Sequence, residues 1–366
     1  MAHDTNTAAG APPLAPAAPP KRPQAKRQHA NWLGWAIAAL FLVGCFTFLD
    51  MGQVFAALGR LGPLQIAAVL AVFTLDRLLM GVKWWVLLRL VRLRLPLLRV
   101  VRYFYAGSLA GVVLPSYVGG DILRAHWVGR DTGAPYPAYA SLVMERLLGL
   151  VSAVNWAIVG GVVCAVAVLP GNDWVWLGLG VLGLVAANGL FALSLHGRVH
   201  AFVLRQLARH ERLKPLRILH RFYEAYSGFS GNRAGLLLAM GLTLLEHGVQ
   251  MAFFYSIAWA LQSDANPFLF IAATAVYTLL LRLPVSPDGW GVGEVAAIAV
   301  FGAVGLSAEL AFSVSFTSHL FILVGLVPGL VFLLLGQGRP DEAEIAAEQE
   351  ALRRARTPLA ENEPAR

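Results

Sequence analysis

Three stretches of this chain, Trp32–Leu49, Leu147–Leu169 and Trp174–Leu195, run without a single charged side chain. A bilayer core is crossed by about 20 apolar residues in helical form, so each is long enough, or nearly so, to span. Inside hydrocarbon every backbone N–H and C=O needs a partner within the protein, and a helix supplies those partners from its own segment. Composition agrees: 57% of the 366 residues are hydrophobic and 14% charged, where a soluble domain carries about a quarter. The sequence therefore predicts an all-α polytopic membrane protein. Its net charge of +8 comes from basic residues beside the spans. That placement fits orientation signals and anionic headgroups rather than nucleic acid.

Full crossings are expected near 32–49, 63–83, 142–169, 174–195, 234–261 and 308–335. Residues 1–30, rich in Pro and Ala and then basic, read as a disordered cytoplasmic arm rather than a signal peptide. Residues 31–336 form the membrane domain, and 337–366 a charged cytoplasmic tail with a short helix at 341–356. Segment 198–229 is expected to form amphipathic helices on the membrane surface. Cys45 and Cys164 fall in expected spans, which argues against a disulfide framework.

Lys and Arg cluster in 83–102 (Lys83, Arg89, Arg92, Arg94, Arg99, Arg102) and in 198–233, whereas 50–62, 170–173 and 262–266 together hold only Arg60. By the positive-inside rule the basic loops are cytoplasmic. Counting crossings then makes two further apolar stretches, 103–120 and 267–305, re-entrant hairpins and puts both termini in the cytoplasm. The alternative, a full crossing by 267–283, would place the C-terminus outside.

Each of those two stretches contains a break. The first is Leu114-Pro115-Ser116-Tyr117-Val118-Gly119-Gly120-Asp121, and the second runs from Leu283-Pro284 through Pro287-Asp288-Gly289 to Gly291-Val292-Gly293-Glu294. A broken backbone at membrane depth survives only when buried in protein or lining a polar cavity. Paired breaks in two halves point to a transporter-type binding site. The halves align: Asp76-Arg77 on Glu246-His247 at an offset of 170, Leu114-Pro115 on Leu283-Pro284 at 169, and Gly120-Asp121 on Gly293-Glu294 at 173. Glu145-Arg146 falls on Ser318-His319, also at 173. The first unit, about 63–169, starts outside and the second, about 234–335, starts inside, so the repeat is inverted.

Ionisable residues within spans are costly, about 2.5–3.5 kcal/mol each at a helix centre, so they face the interior, pair, or serve a pathway. Asp121, Arg124, Glu145, Arg146, Arg282 and Glu294 are the candidates for substrate binding, supported by Asp76, Arg77, Glu246, His247 and His319. Structural readings stand beside these. Glu145-Arg146 and Asp76-Arg77 also fit simple ion pairs, Arg124 a positive-inside anchor, and the two histidines interhelical hydrogen bonds. Gly119, Gly120, Gly289, Gly291 and Gly293 supply the positive φ and close approach that such turns need. The helix after each turn would aim its N-terminal N–H groups at the cavity, which suits an anionic headgroup.

At these residues the chain resembles the transmembrane domain of the lysylphosphatidylglycerol synthase family of flippase-like membrane proteins. The carriers are Pro115 with Gly120-Asp121 (Asp for the usual Glu) and Arg124, then Glu145-Arg146, then Pro284 to Gly289 followed by Gly291-Val292-Gly293-Glu294. The resemblance covers about 32–336. It implies a bacterial inner-membrane protein akin to the flippase half of aminoacyl-phosphatidylglycerol proteins. Those proteins also carry a soluble aminoacyltransferase domain, for which the 30 or so residues after the last span are too few. Stand-alone members are linked to hopanoid or glycolipid handling.

Three functions compete. The first is translocation of a lipid with an anionic or amphipathic headgroup. The second is a non-transporting lipid-binding accessory that scaffolds partner proteins of a lipid pathway. The third, an intramembrane lipid-modifying enzyme, lacks an activated nucleophile or metal-ligand spacing. No Walker A pattern appears, so ATP is not the direct driver, and no cofactor or metal is expected.

Overall fold

The computed structural model describes the backbone of residues 28–113, 119–169, 171–208, 214–283 and 285–334, and their side chains except at 28–34, 113, 207–208, 214–218, 221–222 and 288. Pro115, Pro284, the N-terminal arm before residue 28 and the expected tail helix lie outside the described residues.

All described elements are helical. α1 (Gln28–Phe48) and α2 (Met51–Leu58) meet at a bend of 97°, where the Asp50 carboxylate caps α2 by accepting from the Gly52 and Gln53 N–H groups. They are followed by α3 (Pro63–Leu90), α4 (Leu97–Val113), α5 (Gly119–Thr132), α6 (Pro135–Val168) and α7 (Asp173–Ser194). The rest comprises α8 (Gly197–Ala208), α9 (Lys214–Ser227), α10 (Arg233–Ala260), α11 (Pro267–Leu280), α12 (Val292–Gly302), α13 (Ala308–Gly325) and α14 (Val327–Leu334). Five spans are long and apolar enough to cross a membrane (α3, α6, α7, α10 and α13 with α14), and α1 with α2 makes a sixth if counted as one. On α7, Val175, Leu179, Val181, Leu182 and Val185 are each more than half exposed, the burial pattern of a helix turned toward lipid.

Two spans are longer than expected. α6 starts seven residues before 142, taking in Pro135 and Pro137, because first-turn N–H groups have no intrahelical acceptor and proline lacks only that group. α3 continues to Leu90, so Lys83 belongs to the span and not to the loop that fixes orientation. The five arginines of that segment keep its basic bias.

Both broken stretches fold back on themselves. In α4–α5, Tyr103 packs on Trp127 with centroids 5.5 Å apart and Gly111 lies beside Gly120. In α11–α12, Phe301 stacks on Phe270 at 4.6 Å and Gly293 lies against Leu281. With 14 residues α11 rises about 21 Å, too short for a hydrocarbon core of about 30 Å.

The unit α3–α6 recurs as α10–α14, in the opposite direction. α3 and α10 have 28 residues each and lie antiparallel, with Leu90 against Gly235, Lys83 against Glu246 and Phe73 against Phe253. The same helix end is built twice, 170 residues apart. Arg92 (φ 64°) and Gln262 (φ 60°) take the left-handed position, and the next N–H returns to a carbonyl five residues back (Leu93 to Leu88, 2.9 Å; Ser263 to Ala258, 3.0 Å). That is a Schellman ending. Packing between the units is also exchanged: Gly160 of α6 sits on the Ala272 carbonyl of α11, and Gly329 of α14 sits on the Tyr105 carbonyl of α4. A core of Phe73, Phe253, Phe254, Tyr277 and Phe301 fills the centre, and a second, with Trp84, Phe104 and Trp127, supports the first hairpin.

Candidate functional site

At the first break the two hairpin arms touch at Gly120, where a Cβ would overlap the Gly107 carbonyl oxygen. This close approach sets the start of α5 against α4 and places Asp121 at its third residue. One turn on, Arg124 is 3% exposed. Its Nε and Nη2 donate to Asp121 at 3.1 and 2.9 Å, and Nη2 also donates to Glu145 of α6 at 2.8 Å. The guanidinium lies over the Trp84 and Phe104 rings, 4.4 and 4.7 Å from their centroids, a favourable cation–π setting in a desolvated site. Arg146 closes on the other oxygen of Asp121 and leaves 45% of its own side chain exposed.

At the second break a turn at Pro287–Gly289 leads to Gly291, whose φ of 78° and contact with the Ala38 carbonyl of α1 admit no side chain. Glu294, the third residue of α12, reaches back to the Gly291 N–H at 2.6 Å and approaches His319 Nδ1 at 3.4 Å. An acid at this position satisfies an orphan donor and the helix dipole together. Trp290 stacks on His319 at 4.3 Å. Gly293 lies under Tyr277, whose hydroxyl meets Ser315 at 2.9 Å.

Just before this break, Arg282 hydrogen-bonds His247 Nε2. His247 Nδ1 lies 2.8 Å from the Thr243 carbonyl, which can only accept. In this geometry Nδ1 is placed to donate to that carbonyl and Nε2 to accept from the guanidinium. His247 Nδ1 also stands 3.2 Å from Glu246, which binds Lys83 Nζ at 3.0 Å. Both members of that ion pair have side chains only 2% exposed.

The regions of the two breaks approach one another along α6. Arg282 lies beside Gly149, one helical turn from Glu145. Lys83 precedes Trp84, whose ring lies beneath Arg124. Two polar clusters thus lie near one another: Asp121, Arg124 and Glu145 at the first break, and Arg282, His247, Glu246 and Lys83 before the second. Asp76 and Arg77 remain a local pair at 2.5 Å, beside Phe73. Glu294 and His319 form their own pair on α12 and α13.

Lys83 was counted with the loop charges of 83–102, and Trp84 and Trp290 were not singled out as site residues. Lys83 was legible in principle, standing seven residues, or two turns, beyond Asp76 within an apolar run. Among the described residues no three His, Cys, Asp or Glu side chains stand together as a metal site would need.

Residues 31–329 match the family model described as the lysylphosphatidylglycerol synthase TM region. The chain belongs to this family. It is thus a multi-pass membrane protein of a family linked to lipid handling. It is also similar to a UPF0104 membrane protein of Methanothermobacter thermautotrophicus, 20% identical over 326 residues that span 80% of this chain and 90% of the relative. No solved structure matches. The matched family region contains both breaks and every residue of the two polar clusters.

Proposed function

We propose that this family member moves a lipid with an anionic or amphipathic headgroup between leaflets of the bacterial inner membrane, its headgroup passing between the two breaks. The observation that carries the reading is the pair of charged clusters, Asp121–Arg124–Glu145 at the first break and Lys83–Glu246–His247–Arg282 before the second, brought near one another where Arg282 lies beside Gly149 of α6. So many ionisable groups at membrane depth are expensive unless a polar passenger requires them. Arg124 Nη1 is buried and has no partner among the described residues, leaving a donor for a phosphate oxygen. Arg146, half exposed, exchanges Asp121 for the same phosphate, and Arg282 receives it at the second break. Planar guanidinium forks suit such handovers because they grip carboxylate and phosphate alike. Acyl chains stay in lipid while the two units rock about the antiparallel α3–α10 pair.

The chain acts without chemistry on the lipid, and both termini are cytoplasmic. The orientation draws on α14, which runs toward Arg102 at the end of the bundle that also bears Arg92, Arg94 and Arg99. Cysteine labelling from either side checks it.

The deciding experiment is a leaflet-resolved lipid assay in reconstituted vesicles. Arg282→Lys is expected to slow translocation about tenfold and Arg282→Ala more, with normal insertion, since a charge-assisted bidentate contact carries about 1.5–3 kcal/mol. Parental rates in both variants would move the site elsewhere. Lipid bound tightly by the parent but never translocated would favour the accessory reading.

A further inference from the structure

The Arg92 corner holds something the translocation path does not use. Where α3 ends and α4 begins, a cavity of about 390 Å³ is lined by Arg92, Arg94, Pro96, Arg99, Asp131 and Thr132 among others. Its volume falls in the range of small-ligand sites, about 300–1,000 Å³. Its lining holds three arginines and one carboxylate, and that carboxylate is already engaged. Asp131 accepts from the Tyr103 hydroxyl at 2.5 Å and pairs with Arg130 at 3.4 Å, while Arg99 stands off at 3.7 Å. Among the described residues, Arg92 and Arg94 make no ion pair. Beside the cavity, on the first turn of α4, Leu97 and Leu98 are exposed by 38% and 59%. Basic groups next to exposed leucines mark a membrane–water boundary.

We propose that this pocket is a second, peripheral phosphate site, filled by the headgroup of an anionic phospholipid. Arg92 occupies a left-handed position that glycine ordinarily fills. The other unit makes the same turn with Gln262, and where the first has Arg94 it has Asp264. The fold therefore does not require these arginines. Membrane orientation requires positive charge in the loop, but not its convergence on a cavity. The site stands whether or not the central path transports.

The test uses the full chain in nanodiscs with a phosphatidylglycerol carrying a photoactivatable group near its headgroup, and maps crosslinks by mass spectrometry. Labelling of 92–99 should fall about tenfold in Arg92→Gln/Arg94→Gln, the worth of one or two charge-assisted hydrogen bonds. It should persist in Arg282→Ala, which separates this site from the central one. It should also persist in Arg198→Gln/Arg205→Gln, which removes two exposed charges from α8. An equal fall in that control, undiminished labelling in the pocket variant, or equal labelling by a phosphatidylcholine probe would overturn the proposal. Competition by excess unlabelled phosphatidylglycerol alone confirms a lipid source. Equal competition by glycerol phosphate keeps the phosphate chemistry and overturns the lipid as its occupant.

Discussion

The two units share a backbone and differ in charge. Each has an antiparallel long helix, a broken hairpin, an acid at the third residue after the break and the same Schellman ending. Yet Arg124, which ties the first break together, corresponds at an offset of 173 to Ala297, and Glu145 to Ser318. In the first break two arginines hold one aspartate. In the second the acid is capped by backbone and a histidine, and the arginine lies before the turn, on His247. On the proposed translocation, repetition sets where a polar passenger would lie, and divergence would make the two faces bind it differently. A path with unequal ends can prefer one step of a cycle over another, which two identical units could not.

The largest effect expected within this comparison concerns the positions Asp76 and Glu246. Lys83→Met leaves Glu246 buried without its cation and should cost about 3–5 kcal/mol of stability. Lys83→Met with Glu246→Gln should recover most of it. Asp76 is buried too, but its partner Arg77 is 18% exposed where Lys83 is 2%, so removing the guanidinium lets water reach the carboxylate and Arg77→Met should cost less. Thermal unfolding in detergent measures all three, and equal losses for Lys83→Met and Arg77→Met would break the asymmetry.

The equivalent glycines come next. Gly120→Ala forces a Cβ onto a backbone carbonyl, whereas at Gly293 the nearest atom is Leu281 Cδ2 at 3.0 Å, the end of a flexible side chain. The first should cost about 2–3 kcal/mol and the second under about 1 kcal/mol. A larger loss at Gly293 would show that the hairpins close by different means.

The smallest effect is a gain. Arg92→Gly and Gln262→Gly each relieve a left-handed residue and should stabilise by about 1 kcal/mol. Only Arg92→Gly should weaken phosphatidylglycerol crosslinking at 92–99. Loss in both would tie that labelling to the turn's shape and not to the guanidinium.

Much of this architecture was readable beforehand. Apolar run length marked the spans, and Pro-Gly breaks marked both hairpins. The offsets of 169–173 marked the repeat, since an inverted copy keeps its breaks and polar positions even as residues change. Spans were misjudged at their ends: a crossing set at 142 starts at Pro135, because a first turn tolerates proline, and Lys83 was counted with the loop although α3 runs on to Leu90. Asp121, Arg124, Glu145 and Arg146 crowd one break in sequence, and the structure joins them through ion pairs.

By itself the sequence determined the class of fold, because hydrocarbon leaves the backbone few ways to satisfy itself. It also determined which side chains would need partners. Only the tertiary structure decided the partners: Lys83 for Glu246 across 163 residues, and Arg282 for His247. The reason is physical. A helix apolar on nearly every face gives no sign of its rotation, and a pairing depends on rotation and crossing together. Those are fixed by close glycine contacts such as Gly160 on α11 and Gly329 on α4, which exist only once the helices have met.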